Sequence, residues 1–196
     1  MKIQPVELTG KRAKLIPMEQ IHVKELYEAG NDKNIWYMPM DIKTPEDMEQ
    51  LVENALRDRR NGSAFPFVIM DQDSGKIVGS TRFLDISAAN RGLEIGWTWL
   101  SPTVWRTRIN TECKYLLLQD GFESLKTIRV QLKTDERNIR SQKAIQRLGA
   151  VKEGTLRNHR ILRDGYYRNT VYFSIIDSEW PQVKKRLLGF LEALQN

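Results

Sequence analysis

Hydrophobic and polar positions along this chain repeat with two distinct periods, and the changes between them mark the elements. Leu93, Ile95, Trp97 and Trp99 alternate with Glu94, Gly96 and Thr98, the two-residue period of a strand, and Ser101-Pro102 ends it. A loop from Thr103 to Ile109 leads into a helix expected to begin near Asn110 and to run to about Glu123, with Ile109, Cys113, Leu116 and Leu117 on one face. Ile128, Val130 and Leu132 alternate with Arg129, Gln131 and Lys133, a further strand. Asp135 to Asn138 opens a second helix whose Ser141, Ala144, Ile145 and Leu148 share a face, and Gly149 stops it. A strand, a tight loop and a helix N-terminus together offer free backbone N–H groups pointing one way, an arrangement that binds phosphate.

The same reading covers the rest of the chain. Arg12 to Pro17 is a short strand, Glu19 to Ala29 a helix, and Lys33 to Lys43 a loop holding Trp36 and Tyr37. Aromatic residues in a loop either anchor it to the core or wall a binding site, and both readings stand here. Thr44-Pro45-Glu46-Asp47 is a strong helix start: a cap, a proline at the first helical position and acids in the first turn. Met48, Leu51, Val52, Ala55 and Leu56 then form a core-facing stripe. Phe65 to Met70 and Lys76 to Asp85 read as a hairpin, as do Ala150 to Leu162 and Tyr167 to Ile176 around Asp164-Gly165. Trp180, Val183, Leu187, Phe190, Leu191 and Leu194 mark a last amphipathic helix. The order β-α-α-β-β-β-α-β-α-β-β-α predicts an α/β or α+β fold with a mixed sheet, in one domain spanning 1–196.

Composition narrows the classes. With 196 residues, 40% hydrophobic and 29% charged, the chain can bury a substantial core. Neither a membrane-spanning run nor a signal-peptide pattern is found, so a cytoplasmic protein is expected. One cysteine, Cys113, excludes an internal disulfide, and two histidines, His22 and His159, do not suggest a metal site. Cys113 lies on an apolar stripe and reads as a small buried hydrophobe rather than a nucleophile. The net charge of +6 leaves open an anionic partner, such as a phosphorylated cofactor, but no nucleic-acid motif accompanies it.

Five pieces in order, Glu94-Ile95-Gly96-Trp97, Trp105 to Glu112, Asn138-Ile139-Arg140-Ser141, Arg147-Leu148-Gly149-Ala150 and Glu153-Gly154-Thr155-Leu156-Arg157, resemble the GNAT superfamily of acetyl-CoA-dependent N-acetyltransferases. The similarity is to its RimJ/RimL-like branch, which includes enzymes acetylating N-terminal amines of ribosomal proteins, and it spans roughly Leu8 to Phe190. The resemblance implies a mostly antiparallel sheet with helices on both faces and a splay between its two central strands. It implies acetyl-CoA as co-substrate, no metal, an amine acceptor (a protein N-terminus or a small amine) and a possible homodimer, with no membrane or nucleic-acid partner. The family loop pattern Q/R-x-x-G-x-G/A falls on Trp105, Arg106, Thr107, Arg108, Ile109 and Asn110, so Arg108 and Asn110 stand where small residues are usual. Glycine lets backbone approach phosphate closely, whereas arginine supplies charge directly.

Matched residue by residue, the resemblance places Thr98, Trp99 and Leu100 along the pantetheine arm of acetyl-CoA, Arg106 to Thr111 around its pyrophosphate, and Asn138 on the arm. Glu94 is the candidate base, directly or through water, and Ser141 the candidate acid for the departing thiolate. Amine attack can be direct, with no acyl-enzyme. The plainer alternatives are a Glu94 paired with a cation such as Arg82, and a Ser141 that merely packs. Trp36, Tyr37, Arg82 and His159 are candidates for the acceptor side. The rival function is a non-catalytic acyl-CoA-binding regulatory protein with a degenerate cofactor loop.

Overall fold

The structure, a computed structural model, describes residues 4–32, 34–35 and 42–193. Among them, one sheet contains β1 (Leu8–Thr9), β2 (Ala13–Pro17), β3 (Ala64–Asp71), β4 (Lys76–Ser87), β5 (Gly92–Leu100), β6 (Arg129–Asp135), β7 (Val151–Ile161) and β8 (Tyr167–Ile176). The helices are α1 (Val23–Gly30), α2 (Pro45–Arg60), α3 (Ile109–Gln119), α4 (Ile139–Leu148) and α5 (Trp180–Ala193). The strands lie in the order β1-β2-β3-β4-β5-β6-β8-β7, and all neighbours are antiparallel except β5 and β6. Every element expected from the pattern is present in the expected order. β1 is an addition, since two residues are too few to show a period.

Local chemistry sets the helix ends. The Thr44 hydroxyl accepts from the Asp47 N–H at 3.2 Å, and the Asp47 carboxylate accepts from the Thr44 N–H at 2.9 Å, a reciprocal cap on α2. The Asn138 side chain accepts from the Ser141 N–H at 2.9 Å and starts α4, while Gly149, at φ 110°, ends it in a conformation that side chains resist. α3 does not run straight to Glu123: a wide turn over Asp120–Ser124 closes it. Ile128 lies just outside β6 and is exposed, unlike Val130 and Leu132.

Two apolar layers hold the helices to the sheet. On one face, Leu26 of α1 and Met48, Val52 and Ala55 of α2 pack with Val68 and Ile77. On the other, Ile109, Cys113 and Leu117 of α3, Ile145 and Leu148 of α4, and Val183 and Leu187 of α5 pack with Phe67, Ile95 and Phe173. Each fully buried large side chain contributes about 1.5–3 kcal/mol, so these layers dominate stability.

The expected alternation along β5 fails at one point. Ser80 pairs with Trp99 and Arg82 with Gly96, so Thr81 faces two residues, Trp97 and Thr98. This bulge puts Trp97 at φ 50° and leaves it 43% exposed. Leu93 and Ile95 join the α3 side as expected, but Trp97 leaves their face, and Trp99 packs at the α1–α2 side. β5 and β6 pair only through Gly92–Arg129, Leu93–Val130 and Glu94–Gln131, then part. Among the described residues no helix is long and apolar enough to cross a membrane.

Candidate active site

The parting of β5 and β6 opens a cleft of about 690 Å³, walled by β5, the loop after it, the start of α3, β6 and the first turns of α4. Along its β5 wall lie Thr98, Trp99 and Leu100, and the backbone from Ile95 onward has no ladder partner on the β6 side. That edge offers N–H and C=O groups to an extended ligand.

The loop is held by its own residues. The Trp105 indole N–H donates to the Leu100 carbonyl at 2.7 Å, and the Thr107 hydroxyl to the Val104 carbonyl at 2.7 Å. Arg106 sits at φ 62° and reaches the cleft, as does Asn110. Arg140 of α4 lies over the Trp105 ring, 4.5 Å from its centroid. Among the described residues neither Arg106 nor Arg140 has a carboxylate partner, so both are available to an anion at this end of the cleft.

The remaining loop residues face elsewhere. Arg108 does not point into the cleft: its guanidinium donates to Glu112 at 3.2 Å, and both side chains are nearly buried. Glu112 also accepts the N–H groups of Lys11, Arg12 and Ala13, which ties α3 to the turn before β2. Arg108 has φ −69° and ψ −17°, ordinary helical values, so its place does not demand glycine. Ile109 is core, and the Thr111 hydroxyl accepts from Arg147 at 3.2 Å. What α3 presents to an anion is the first-turn amides and Asn110.

Glu94 stands where the two strands part. Its residue is 2% exposed. Lys133 Nζ lies 2.8 Å from Oε2, and the Gln131 amide donates to the same oxygen at 2.8 Å. The carboxylate is therefore paired, though with Lys133 on β6 and not with Arg82. Burial raises its pKa above the usual carboxylate value, against the opposing pull of Lys133 and Gln131. Oε1 points at Gly96: a Cβ there would come within 3.0 Å of it. Gly96 lines the cleft and Glu94 itself does not, so the glycine is what stands between that oxygen and the cleft.

Asn138 and Ser141 line the opposite wall at the N-terminus of α4. Arg82 lies apart from the cleft lining, its guanidinium 4.6 Å from the Trp97 ring and 3.9 Å from Asp58; burial lowers its pKa to about 10. His159 is on β7, in a separate open depression of about 980 Å³ with Asn158 and Asn169. Its Nδ1 lies 3.0 Å from the Thr170 hydroxyl. Burial, then the charges of Arg160, Lys133 and Arg168, lower its pKa. That depression is the shallower of the two; the cleft between β5 and β6 has the convergent polar groups a ligand site needs. Trp36 and Tyr37 lie outside the described residues. Sequence reasoning missed Lys114 and Arg140 as cleft residues, although a lone cation inside Cys113-Lys114-Tyr115-Leu116-Leu117-Leu118 was a visible sign.

Comparison with known proteins gives the family and the fold. A family model described as an acetyltransferase (GNAT) domain matches residues 12–151. The chain is 27% identical over 163 residues to the ribosomal-protein-serine acetyltransferase of Escherichia coli strain K12, covering 81% of this chain and 89% of that one. A crystal structure of a GCN5-related N-acetyltransferase from Brucella melitensis superposes with a TM-score of 0.90 at 27% identity, covering 97% of this chain and 87% of the other. Mycobacterium smegmatis RimJ in complex with CoA-disulfide shares the fold, with a TM-score of 0.76 at 20% identity over 90% of this chain and 88% of its own. The splayed strands, the cation-lined cleft and the domain match lead to one conclusion: the chain belongs to the GNAT family of acetyl-CoA-dependent N-acetyltransferases.

Proposed function

We propose that this chain transfers acetyl from acetyl-CoA directly to a primary amine, with the N-terminal amine of a ribosomal protein as the first acceptor to test. The observation that carries the reading is the buried carboxylate of Glu94 at the last paired position before β5 and β6 part, next to Gly96 and Lys133 of the cleft wall. The likeness to a ribosomal-protein-serine acetyltransferase supports the choice of acceptor.

When bound, acetyl-CoA supplies an activated acyl carbon and a thiol leaving group. The residues present suit it. Arg106, Arg140 and the first-turn amides of α3 meet its phosphates. The free edge of β5 from Thr98 to Leu100 and the Asn138 side chain meet its arm. A backbone N–H near Thr98 donates to the thioester oxygen as charge builds there.

An amine acceptor arrives as an ammonium and must lose a proton before it attacks. Glu94 takes that proton at Oε1, directly or through one water, while Lys133 and Gln131 hold Oε2. Its raised pKa brings it closer to the working pH, where a carboxylate is a better base. The Ser141 hydroxyl returns a proton to the thiolate from the far wall. Direct attack needs no covalent enzyme intermediate, which fits the thiol of Cys113, buried and pushed up to about 12 by desolvation.

The test is turnover with a panel of amines, ribosomal-protein N-terminal peptides among them, on the native chain and on Glu94→Gln. Glu94→Gln is expected to lower kcat by about 10²–10⁴-fold while acetyl-CoA still binds. Acetyl-CoA binding with no turnover on any amine would favour a non-catalytic binding protein and sink the proposal.

A further inference from the structure

Lys114 of α3 is a buried amine that the transfer described above leaves without a task. It is 7% exposed and forms part of the cleft wall. Its Nζ donates to Thr98 Oγ1 at 2.5 Å, and that hydroxyl lies 2.8 Å from the hydroxyl of Thr81. Among the described residues no carboxylate pairs with it. Glu112, two positions back, is occupied by three backbone N–H groups and Arg108.

An ammonium carries three donors, and Thr98 takes one. Burying an ammonium without a counter-charge is costly, and methionine or leucine would fill this helix position without that cost. A lysine here makes sense if its acceptor arrives with the ligand. The bulge at Trp97 is what turns Thr98, and with it the β5 edge, toward this amine.

We propose that Lys114 is a further acetyl-CoA-binding residue, its ammonium donating to a carbonyl oxygen of the pantetheine–thioester arm beside Thr98. The inference rests on the acetyl-CoA reading of the cleft. It carries a pH signature, because the charged amine has one donor more than the neutral one and gives a charge-assisted, stronger hydrogen bond to a carbonyl oxygen. Desolvation lowers the Lys114 pKa to about 8. The groups facing it from β4 and β5, Thr81 and Thr98, are neutral. On its own helix Cys113 stays protonated to about 12. Elsewhere on the cleft wall stand the guanidinium groups of Arg106, Arg140 and Arg168, the last with its pKa lowered by burial. Asp135 is ion-paired with Arg137 and Arg168. Lys133, against the pull of its burial, is held above its ordinary value by Glu94 and Asp85.

The experiment is calorimetric titration of the full chain between about pH 7 and pH 9.5 with two ligands, acetyl-CoA and adenosine 3′,5′-bisphosphate, which has the nucleotide end but no arm. Acetyl-CoA affinity is expected to fall by up to about ten-fold per pH unit above the Lys114 pKa, with the bisphosphate flat. Lys114→Met is expected to weaken acetyl-CoA by about ten-fold or more at neutral pH, to remove the pH dependence and to spare the bisphosphate. Acetyl-CoA binding that is flat with pH in the native chain overturns the proposal and leaves the acetyl-CoA reading standing, as does a pH dependence shared by both ligands. Absence of acetyl-CoA binding by the native chain overturns both.

Discussion

Burial acts on Glu94 and Lys114 in opposite directions for one reason: it disfavours whichever form is charged. The carboxylate pKa rises and the amine falls to about 8 from 10.5. The second shift has a stability consequence. In the window between about 8 and 10.5 the unfolded chain binds more protons at this lysine than the folded one does, so stability rises with pH there. Below about pH 8 the penalty is fully present. Lys114→Met is therefore expected to raise the Tm at pH 7 and to flatten the gain at alkaline pH, as read by scanning calorimetry. Gly96→Ala makes a different point. Its Cβ would stand 3.0 Å from both Glu94 Oε1 and a Leu84 methyl, so kcat should drop at least ten-fold with acetyl-CoA affinity within a few-fold of native. Affinity lost together with kcat would mean that the glycine serves the cofactor and not the base. At this scale the place of Glu94 on β5 was legible, because the residues around it alternate. Its partners were not: Gln131 and Lys133 are distant in sequence and meet it only through the register of β5 with β6.

The start of α3 shows how an element can be legible in position and not in wiring. The pattern placed the helix start within one residue, yet Arg108 faces a carboxylate instead of the cleft. Glu112, nearly buried, gathers that guanidinium and three backbone N–H groups from the turn before β2. Replacing it with alanine leaves those donors unsatisfied, and a loss of about 3–5 kcal/mol is expected in urea unfolding. A loss under about 1 kcal/mol would mean that water replaces the carboxylate at no great cost. The cap at Thr44 was readable because that helix end is satisfied by its own neighbours in sequence, whereas Asn138, expected on the cofactor arm, also caps α4. The bulge in β5 was not, because a tryptophan at φ 50° carries no local signal; the surrounding sheet imposes it. That single irregularity decides which side chains enter the cleft.

At the scale of the whole molecule, the fold reads as two antiparallel half-sheets, β1 to β5 and β6 with β8 and β7, joined by three facing pairs of residues. The order of elements was legible because each carries its own period. The exchange of β7 and β8 in space was not, since a hairpin signal does not say which of its strands meets the sheet. The short junction leaves part of β5 with amides that no strand answers, inside the molecule instead of at its rim. Such amides should trade their hydrogens with solvent quickly in the free protein. Acetyl-CoA should slow them by about ten-fold or more, while those of β3 and β4 stay unchanged. Equal rates with and without it would mean that the arm does not bond along β5. If the slowing is found, the substrate is also a detachable part of the architecture. Each turnover then completes the sheet and undoes it again, and how tightly the molecule is knit follows the supply of its own reagent.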